Sequence, residues 1–588
     1  MKDKVLAKVY VEVMGIAPTS PDAESLINWR NPGKSGQKAA GDFPTVLFNV
    51  VSSRANKRAS KVSIADINEK LDILNATNDK EERKEVVSYF FKECSPKEQM
   101  WLARIILKEL KLGISEKTIL DLYHPDALDL FNVCSDLAQV TSQLKDPTKR
   151  LAQQEIHLFR AFKPMLSKKS LPHEVPKLMD NQTFWVETKL DGERLQMHVD
   201  TTRGEFRWFS RKATDYTTMY GANKFTGSLT PYIYDCFSPR VKSLILDGEM
   251  RAYNTETEMF EPFGNLKTAS NDVQRLGDSS ILRPCFHVFD ILYCNGKSLV
   301  DQILCSRYNL LSQIITPKRN CIEILPHEEG RTVEDITRLL DEHMMRCEEG
   351  LIVKKPSSMY NPSDRSGDWC KIKPDYIDAL GDDVDVVLVG GFYGEGRRGG
   401  RMSHFMCGIL EDPKSDGGVR RCLTFCKFGT GFKMHEIEMI SREGEGKWIN
   451  YDRRRPPHWF VHVPNGESPD RILPPEYWRV VQLKAAEITK TDQYQTGWTL
   501  RFPRYVCMRD DKDVSEALTV SQLHEYIRQN QGRMQSRRLA GADFAGQERK
   551  KKKVVHRRPA VALRVAADYL GVDIKAISKA DDLFAGVE

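Results

Sequence analysis

A lysine at the end of an alternating segment is the first candidate for chemistry. In "FWVETKLDGERLQMHVD" (184–200), the alternation places Glu187 and Lys189 on one strand face, and the strand breaks at Asp191-Gly192. A lysine held in a pocket at a strand end is desolvated, so its pKa falls from about 10.4 and its neutral amine becomes a nucleophile. Lys-x-Asp-Gly alone is a short pattern, and an ordinary surface lysine stays open as the alternative.

Further along the chain, like charges recur on short predicted strands. "LILDGEM" sets Asp247 and Glu249 on one face, where a cation or a ribose could be held, and "WCKIK" sets Lys371 and Lys373 on one face. "CEEGLIVKKP" adds acidic and basic residues between them. Like charges side by side are unfavourable unless they are solvated or meet an opposite charge, such as a triphosphate. A solvated surface explains any single segment, but the set together indicates a nucleotide site.

The spacing of hydrophobic residues divides the chain into one helical and two strand-rich regions, which must position these side chains. Residues 1 to about 165 show helical stripes, and "EQMWLARIILKELKLGISEKTILDLY" predicts a helix with a C-cap at Gly113, a tight turn, and a helix starting at Ser115. From about 170 to 380 the period is two, as in short strands. A second strand-rich region, about 383–515, suits a small barrel or sandwich.

Composition limits the class of protein. The 588 residues exceed one hydrophobic core and predict three or four domains, and 40% hydrophobic with 29% charged residues is typical of a soluble globular protein. No apolar run of membrane-spanning length and no signal segment is seen, so an intracellular protein without membrane association is expected. The thirteen cysteines form no Cys-x-x-Cys pair; Cys422 and Cys426 come nearest, and no zinc site is predicted there. A net charge of +6 does not by itself identify a partner.

Seven segments in fixed order resemble the motifs of the ATP-dependent DNA ligases, members of the covalent nucleotidyltransferase superfamily. They are "KLDG" (189–192), "FSR" (209–211), "LDGE" (246–249), "VFD" (288–290), "EEGLIVK" (348–354), "WCKIK" (369–373) and "RDDK" (509–512). The match runs from about residue 5 to 520. "LKLGISEKTIL", "GGFYGEGRRGGRMSHF" and "TLRFPR" resemble most the end-joining branch of the family.

The resemblance implies a multidomain α+β fold. Its parts are an all-helical DNA-binding domain (1–165), an antiparallel-sheet nucleotidyltransferase (adenylation) domain (166–380), an OB-fold barrel (381–520), and a basic linker leading into a BRCT region (521–588). The start is expected to lack the first helices of the DNA-binding domain.

The resemblance also implies the role of each residue of the nucleotide site. Lys189 would attack the α-phosphorus of ATP, Glu187 would read the adenine amino group, and Phe289 would stack on the adenine ring. Arg194 and Arg211 would contact the ribose and phosphates. The remaining nucleotide-binding residues implied by the family are Thr188, Leu190, Glu249, Lys354, Lys371 and Lys373.

Magnesium and the barrel complete the implied site. Glu249 and Glu349 would hold Mg²⁺, which prefers carboxylate oxygens. Arg509 and Lys512 would come from the barrel and orient the pyrophosphate leaving group. The cofactors are therefore expected to be ATP and Mg²⁺.

The implied partner is duplex DNA with nicks or ends, in the nucleus. The basic run "RKKKKVVHRRP" (549–559) is either a nuclear localisation signal or a DNA-binding linker. "SKADDLFAGVE" resembles the opening of a BRCT region. The segment with which the end-joining branch grips a coiled-coil partner is not found, so either a fragment or a protein acting without that partner is expected. Phe263 stands where relatives carry a nucleotide-contacting lysine.

Three other functions match parts of this pattern. An RNA-directed nucleotidyltransferase, either a capping guanylyltransferase or an RNA ligase, shares the lysine motif but not the helical region or "RFPR". A non-enzymatic DNA clamp is disfavoured by the intact lysine and carboxylates. "GEGRRG" (394–399) spells Gly-x-Gly-x-x-Gly, but a strand rather than a helix is predicted after it, so a loop touching the DNA backbone is preferred to a dinucleotide site.

Overall fold

The structure is a computed structural model of the chain. It describes residues 1–32, 40–55, 60–148, 150–151, 155–261, 264–346, 348–373, 383–412, 421–444, 446–464, 466–485 and 487–530. Phe263 and the basic run 549–559 lie outside the described residues.

The N-terminal region is all-helical in its described part. Its helices are α1 (Asp3–Val13), α2 (Pro21–Ile27), α3 (Phe43–Val51), α4 (Ile64–Ala76), α5 (Lys80–Glu93), α6 (Pro96–Leu107), α7 (Glu116–Tyr123), α8 (Ala127–Cys134) and α9 (Leu137–Gln143). The apolar faces of α1, α2 and α3 meet in one core, which includes Leu6, Leu26 and Leu47.

Helix α6 shows how local sequence sets a helix start but not its end. Ser95 caps it, because Ser95 Oγ accepts from Glu98 N (3.4 Å) while the Glu98 carboxylate accepts from Ser95 N (2.7 Å). The predicted C-cap at Gly113 is wrong: α6 ends at Leu107, and Lys108 takes the left-handed conformation with φ 58°.

Asp42, at the start of α3, contacts both α6 and the segment that follows it. Arg104 Nη2 of α6 lies 2.7 Å from Asp42 Oδ2, and Lys111 Nζ lies 3.1 Å from Asp42 Oδ1. The next predicted signal is confirmed: Ser115 is the N-cap of α7, with its Oγ accepting from Thr118 N at 3.1 Å.

The described part of the middle region contains two sheets and six α-helices. The helices are α10 (Val175–Leu178), α11 (Thr217–Tyr220), α12 (Thr230–Ile233), α13 (Leu266–Leu276), α14 (Leu304–Ile314) and α15 (Val333–Met345). The strands are β1 (Lys168–Lys169), β2 (Phe184–Thr188), β3 (Glu193–Asp200), β4 (Glu205–Ser210), β5 (Ser243–Asn254), β6 (Met259–Phe260), β7 (Leu282–Cys294), β8 (Lys297–Ser298), β9 (Ile322–Ile324), β10 (His327–Gly330), β11 (Leu351–Lys354) and β12 (Trp369–Ile372).

The two sheets are mainly antiparallel, as expected. One has the order β1-β12-β11-β2-β10, and the other has the order β4-β3-β5-β7-β8 with β6 and β9 added to β5 and β7. Two pairs, β1 with β12 and β7 with β9, are parallel. Because side chains alternate along each strand, Leu195, Leu246 and Phe286 point into the core of the second sheet.

The third region contains a curled sheet of the OB-fold type and a separate antiparallel pair of strands. The strands of the curled sheet are β13 (Asp383–Tyr393), β14 (Met402–Leu410), β15 (Cys422–Phe428), β16 (Ile449–Asn450), β17 (Phe460–Val461), β18 (Arg471–Ile472), β19 (Arg479–Lys484) and β22 (Arg504–Met508). The separate pair is β20 (Glu487–Lys490) with β21 (Trp498–Arg501), and the helices are α16 (Met434–Glu443) and α17 (Val520–Asn530). Strand β13 is central and pairs with β14, β18 and β19.

The glycine-rich loop before β14 contacts the helical domain. Gly396 N donates to Gly41 O (3.0 Å), and Arg30 Nη2 lies 2.6 Å from Glu395 Oε1. A strand, β14, follows the loop as predicted, so the helix that a dinucleotide site requires is not there. Contact of this loop with DNA stays a prediction.

The described residues also show the state of the cysteines and the character of the helices. All cysteines in the described ranges are free thiols. Among the described helices, none combines the length and the apolar character needed to cross a bilayer.

Candidate active site

One cavity between the two sheets of the middle region gathers most of the predicted site residues. Its volume is about 340 Å³. The predicted residues that line it are Glu187, Thr188, Lys189, Leu190, Arg194, Arg211, Glu249, Phe289, Lys354 and Lys371. They come from β2, β3, β4, β5, β7, β11 and β12 and the connections that follow, so the cavity depends on both sheets.

Lys189 follows directly after β2 at the mouth of this cavity. Its backbone N donates to Gly350 O (2.8 Å), which extends the pairing of β2 with β11 by one residue. Its side chain is 22% exposed, and Nζ donates to a carboxylate oxygen of Glu349. The amine is therefore held inside a polar pocket rather than in bulk solvent.

Two glycines allow the backbone to pass close to its neighbours around Lys189. A Cβ on Gly192 would lie 2.2 Å from Met250 O, so only glycine lets the chain turn against β5 there. Gly350 has φ +144°, and a Cβ on it would lie 2.3 Å from Ile372 O. The Asp191-Gly192 break read from the sequence is thus a point of close backbone approach.

Glu187 and Lys354 form a buried ion pair at the closed end of the cavity. Their Oε2 and Nζ atoms are 2.7 Å apart, and both side chains are 2% exposed. Lys354 Nζ also lies over the rings of Phe289 (4.5 Å) and Trp369 (4.3 Å). Burial raises the pKa of Glu187 to about 6, although Lys354 opposes this. Glu187 Oε1 is buried and has no hydrogen-bond partner among the described atoms, so it can accept from a ligand donor.

Arg194 is fixed by a carboxylate that the sequence had assigned elsewhere. Its Nε and Nη2 donate to Asp247 Oδ1 (2.9 Å) and Oδ2 (2.6 Å), and Tyr360 Oη donates to Asp247 Oδ2 (2.7 Å). The sequence suggested Asp247 as a possible ligand for a cation or a ribose. In the structure it is fully buried, and both of its oxygens accept hydrogen bonds that orient the guanidinium. Arg194 still lines the cavity.

Two further carboxylates lie around Lys189. Glu349 contacts both Lys189 and Lys373, and these cations lower its pKa despite the opposing effect of burial. Burial raises the pKa of Glu249 to about 7, with Lys189 and Arg194 opposing. Two carboxylates beside one lysine are the donor set that Mg²⁺ prefers, so the residues present fit this ion. A cation on Glu349 would displace at least one ammonium group.

Cations continue along β12 and beyond. Lys371 lines the cavity, and its pKa is lowered by burial and by neighbouring Arg365 and Lys373. Lys373 does not line this cavity: it contacts Glu349 and lies 5.3 Å from the ring of Phe502 in the barrel. Mutual repulsion among these cations favours an anion such as a phosphate group at this edge.

The structure does not bring Arg509 and Lys512 to the cavity. Arg509 Nη1 and Lys512 Nζ lie 3.1 and 2.6 Å from Asp385 Oδ2, at the start of β13. Another barrel residue, Arg501, contacts the segment after Lys189 instead: its Nη2 lies 2.6 Å from Asp191 Oδ1.

Several residues of the site were missed by the sequence reading. Arg365 and Ser167 line the cavity, and Tyr360 orients Asp247. His343 Nδ1 lies 3.2 Å from Thr188 Oγ1 and also contacts Glu348. Arg365 and Ser167 lie in irregular segments between strands, where alternation carries no signal; Phe263 lies outside the described residues.

Comparisons with known proteins agree with this geometry. Three family models match the chain: "DNA ligase N terminus" over 1–124, "ATP dependent DNA ligase domain" over 164–373, and "ATP dependent DNA ligase C terminal region" over 398–512. The solved structure titled "Pmar-Lig_PreS3" covers 86% of this chain and 99% of its own with a TM-score of 0.50 at 17% identity, which shows a shared fold.

Curated relatives carry the name DNA ligase 4. Those from Gallus gallus and Homo sapiens are each 37% identical and are covered to 64% of their length by the whole of this chain. The relative from Aspergillus oryzae is 39% identical over 89% of this chain and 54% of its own length. This chain thus spans between half and two thirds of these relatives, and its resemblance to ligases of this name is confirmed. The chain belongs to the ATP-dependent DNA ligase family.

Proposed function

We propose that this protein is an ATP-dependent DNA ligase that seals strand breaks, in the end-joining repair of double-strand breaks. The observation that carries the proposal is the position of Lys189, beside Glu349 in a cavity that also holds the free oxygen of Glu187 and the cations Arg194 and Lys371. A nucleophile, an adenine-reading acceptor and phosphate-binding groups thus surround one space of nucleotide size.

In the first step, Lys189 becomes joined to AMP. Nζ, as the free amine, forms a bond to the α-phosphorus of ATP, while the bond from that phosphorus to the bridging oxygen breaks and pyrophosphate leaves with the electron pair. The nitrogen gives up one proton to solvent, which leaves a phosphoramidate. Glu187 Oε1 accepts from the adenine amino group, and Phe289 packs on the ring. Such a transfer asks the protein mainly for positioning and for positive charge around the transition state, which Arg194 and Lys371 supply.

The later steps transfer AMP to DNA and seal the strand. An oxygen of the 5′-phosphate at a break attacks the lysyl-bound phosphorus, the phosphorus–nitrogen bond breaks, and Lys189 recovers a proton. The 3′-hydroxyl then attacks the 5′-phosphorus, loses its proton, and AMP departs. Duplex DNA with nicks or ends is the proposed substrate.

Mg²⁺ is the proposed metal, with Glu249 and Glu349 as its protein ligands. When bound, it supplies Lewis-acid charge neutralisation at the phosphates. The protein's own contribution is to hold both carboxylates close to Lys189, with Lys373 in contact with Glu349.

The nucleus is the proposed compartment, on the strength of the DNA ligase 4 relatives. The run 549–559, which could direct the chain there, lies outside the described residues. The coiled-coil partner of end joining stays a prediction.

One pair of assays tests the proposal. The chain is incubated with Mg²⁺ and either α-labelled ATP or α-labelled GTP, and then with a nicked duplex. A ligase takes label from ATP and converts the nick into a continuous strand. Label taken from GTP with no sealing of DNA would favour a capping guanylyltransferase instead, and label from neither would favour a non-enzymatic clamp.

A further inference from the structure

A cluster of metal-ligating side chains lies on the second sheet, outside the nucleotide cavity. Cys285 and His287 are two residues apart on β7 and therefore point to the same sheet face. Glu323, on β9, is in register with His287 across the parallel β7–β9 pair. Three side chains of different donor type thus meet where two strands run side by side.

The distances in this cluster suit a bound ion. One ligand atom from each residue, a sulfur, a ring nitrogen and a carboxylate oxygen, lies within 4.8 Å of the other two. His287 Nδ1 is 3.6 Å from Glu323 Oε2. Zinc bonds of about 2.0–2.3 Å in a tetrahedron place ligand atoms roughly 3.3–3.8 Å apart, so small side-chain rotations would close the site.

Two buried nitrogen atoms beside the cluster have no hydrogen-bond partner among the described atoms. They are His287 Nε2 and Arg251 Nε. Arg251 is in register with Cys285 across β5 and β7. Buried polar nitrogens are rarely left without partners. A thiolate at Cys285 would face Arg251 and give its Nε the acceptor that it lacks, and an ion would hold the imidazole of His287 by one ring nitrogen.

We propose that Cys285, His287 and Glu323 form a zinc-type metal site that is separate from the Mg²⁺ site of catalysis. A thiolate, an imidazole and a carboxylate select Zn²⁺ among common cellular cations, whereas Mg²⁺ takes oxygen ligands in an octahedron. The two negative ligands balance the charge of the ion. A fourth position stays open to water, since Glu323 is half-buried at the edge of the cluster.

The site would join β9 to β7 next to the nucleotide cavity. His287 is in register with Glu249, and Phe289, two residues further along β7, lines the cavity. A metal here would therefore fix the strand that carries part of the cavity wall. This inference does not depend on the proposed ligase activity.

Metal content of the full chain tests the site directly. The purified protein is stripped with a chelator, exposed to a small excess of Zn²⁺, passed through a desalting column, and analysed by mass spectrometry for zinc. About one Zn²⁺ per chain is expected to remain. Cys285→Ser and Glu323→Gln should lose it, and Cys294→Ser, which removes another thiol of β7, should keep it.

Two further readouts separate a lost site from a lost fold. Co²⁺ in place of Zn²⁺ should give a thiolate-to-metal absorption band that is present in Cys294→Ser and missing in Cys285→Ser. Zinc should raise the unfolding temperature of the wild type but not of Glu323→Gln. Zinc that is not retained by the wild type, or that is retained equally by Cys285→Ser and Glu323→Gln, would overturn the proposal.

Discussion

Arg501 of the barrel lies 2.6 Å from Asp191, two residues after the proposed nucleophile. Both side chains are 20% exposed, and Arg501 is also 2.6 Å from Glu487. Through this pair the barrel is joined to the segment that carries Lys189. The same structure leaves Arg509 and Lys512 on Asp385, away from the nucleotide cavity.

We expect Arg501→Ala to impair sealing more than self-adenylation. Loss of a partly buried, charged hydrogen bond costs about 1.5–3 kcal/mol, which corresponds to roughly a 10- to 100-fold slower sealing of a nick that already carries AMP. Single-turnover sealing measures this. Arg421→Ala, which removes a barrel arginine 3.5 Å from Glu411, is the matched control and should seal normally. Equal losses in the two variants would contradict the role of Arg501.

Arg509→Ala and Lys512→Ala should have the opposite effect. If these cations serve only the ATP step, self-adenylation falls by roughly 100-fold, the usual order for removal of one charge-stabilising group. Sealing of an adenylated nick should stay within a few-fold of wild type, because in the present arrangement both side chains bind Asp385. The initial rates of self-adenylation and of sealing an adenylated nick, measured separately, test this prediction. Equal losses in both rates would contradict it.

A crosslink tests whether the barrel must bring Arg509 and Lys512 to the nucleotide cavity for the ATP step and withdraw them before sealing. A covalent link that pins residues near 509 against the nucleotide cavity should permit self-adenylation and block nick sealing. If the linked protein still seals nicks, the barrel does not need to move between the two steps.

Replacing Glu187 alone should destabilise the protein more than replacing both members of the buried Glu187–Lys354 pair. Glu187→Gln leaves the Lys354 ammonium buried without a counter-charge, and we expect a loss of about 3–5 kcal/mol in the free energy of unfolding. Adding Lys354→Met should restore much of that stability without restoring adenylation, because the adenine acceptor is still changed. Urea denaturation and ATP labelling of both variants check this; a double variant as unstable as the single one would show that the pair is not coupled.

Glu249 should make Mg²⁺ use dependent on pH. Burial raises the pKa of its carboxyl group to about 7, so the charged, metal-binding form is lost as the pH falls through 7 and is present above it. The Mg²⁺ concentration that gives half-maximal self-adenylation should therefore be higher at about pH 6 than at about pH 8. In Glu249→Gln the remaining activity should show much less of this dependence. A half-maximal Mg²⁺ concentration that does not change with pH would contradict the assignment of Glu249 as a metal ligand.

Local patterns in the sequence predicted the parts of the fold that local chemistry decides. The alternation in 184–200 predicted β2 with Lys189 at its end, and Ser115 predicted the start of α7. The end of α6 could not be predicted in the same way, because Lys108 takes the left-handed conformation that glycine usually takes, and no glycine marks that position.

The site was predictable in its residue types but not in its pairings. Glu187 and Lys354 belong to separate motifs, and nothing in either motif shows that they form a buried ion pair. Asp247 lies 53 residues after Arg194, so its role in fixing that guanidinium becomes visible only when β3 and β5 are paired. The placement of Arg509 depends on the position of a whole domain, which no local pattern encodes.

The most direct test of the account is the position of the nucleotide on the protein. After incubation with ATP and Mg²⁺, the chain is digested and its peptides are analysed by mass spectrometry, alongside Lys189→Ala and Lys189→Arg. We predict a single AMP adduct, on Lys189, and no adduct in either variant, both of which should fold normally. An adduct on another residue, or label retained by Lys189→Ala, would contradict the assignment of Lys189 as the nucleophile.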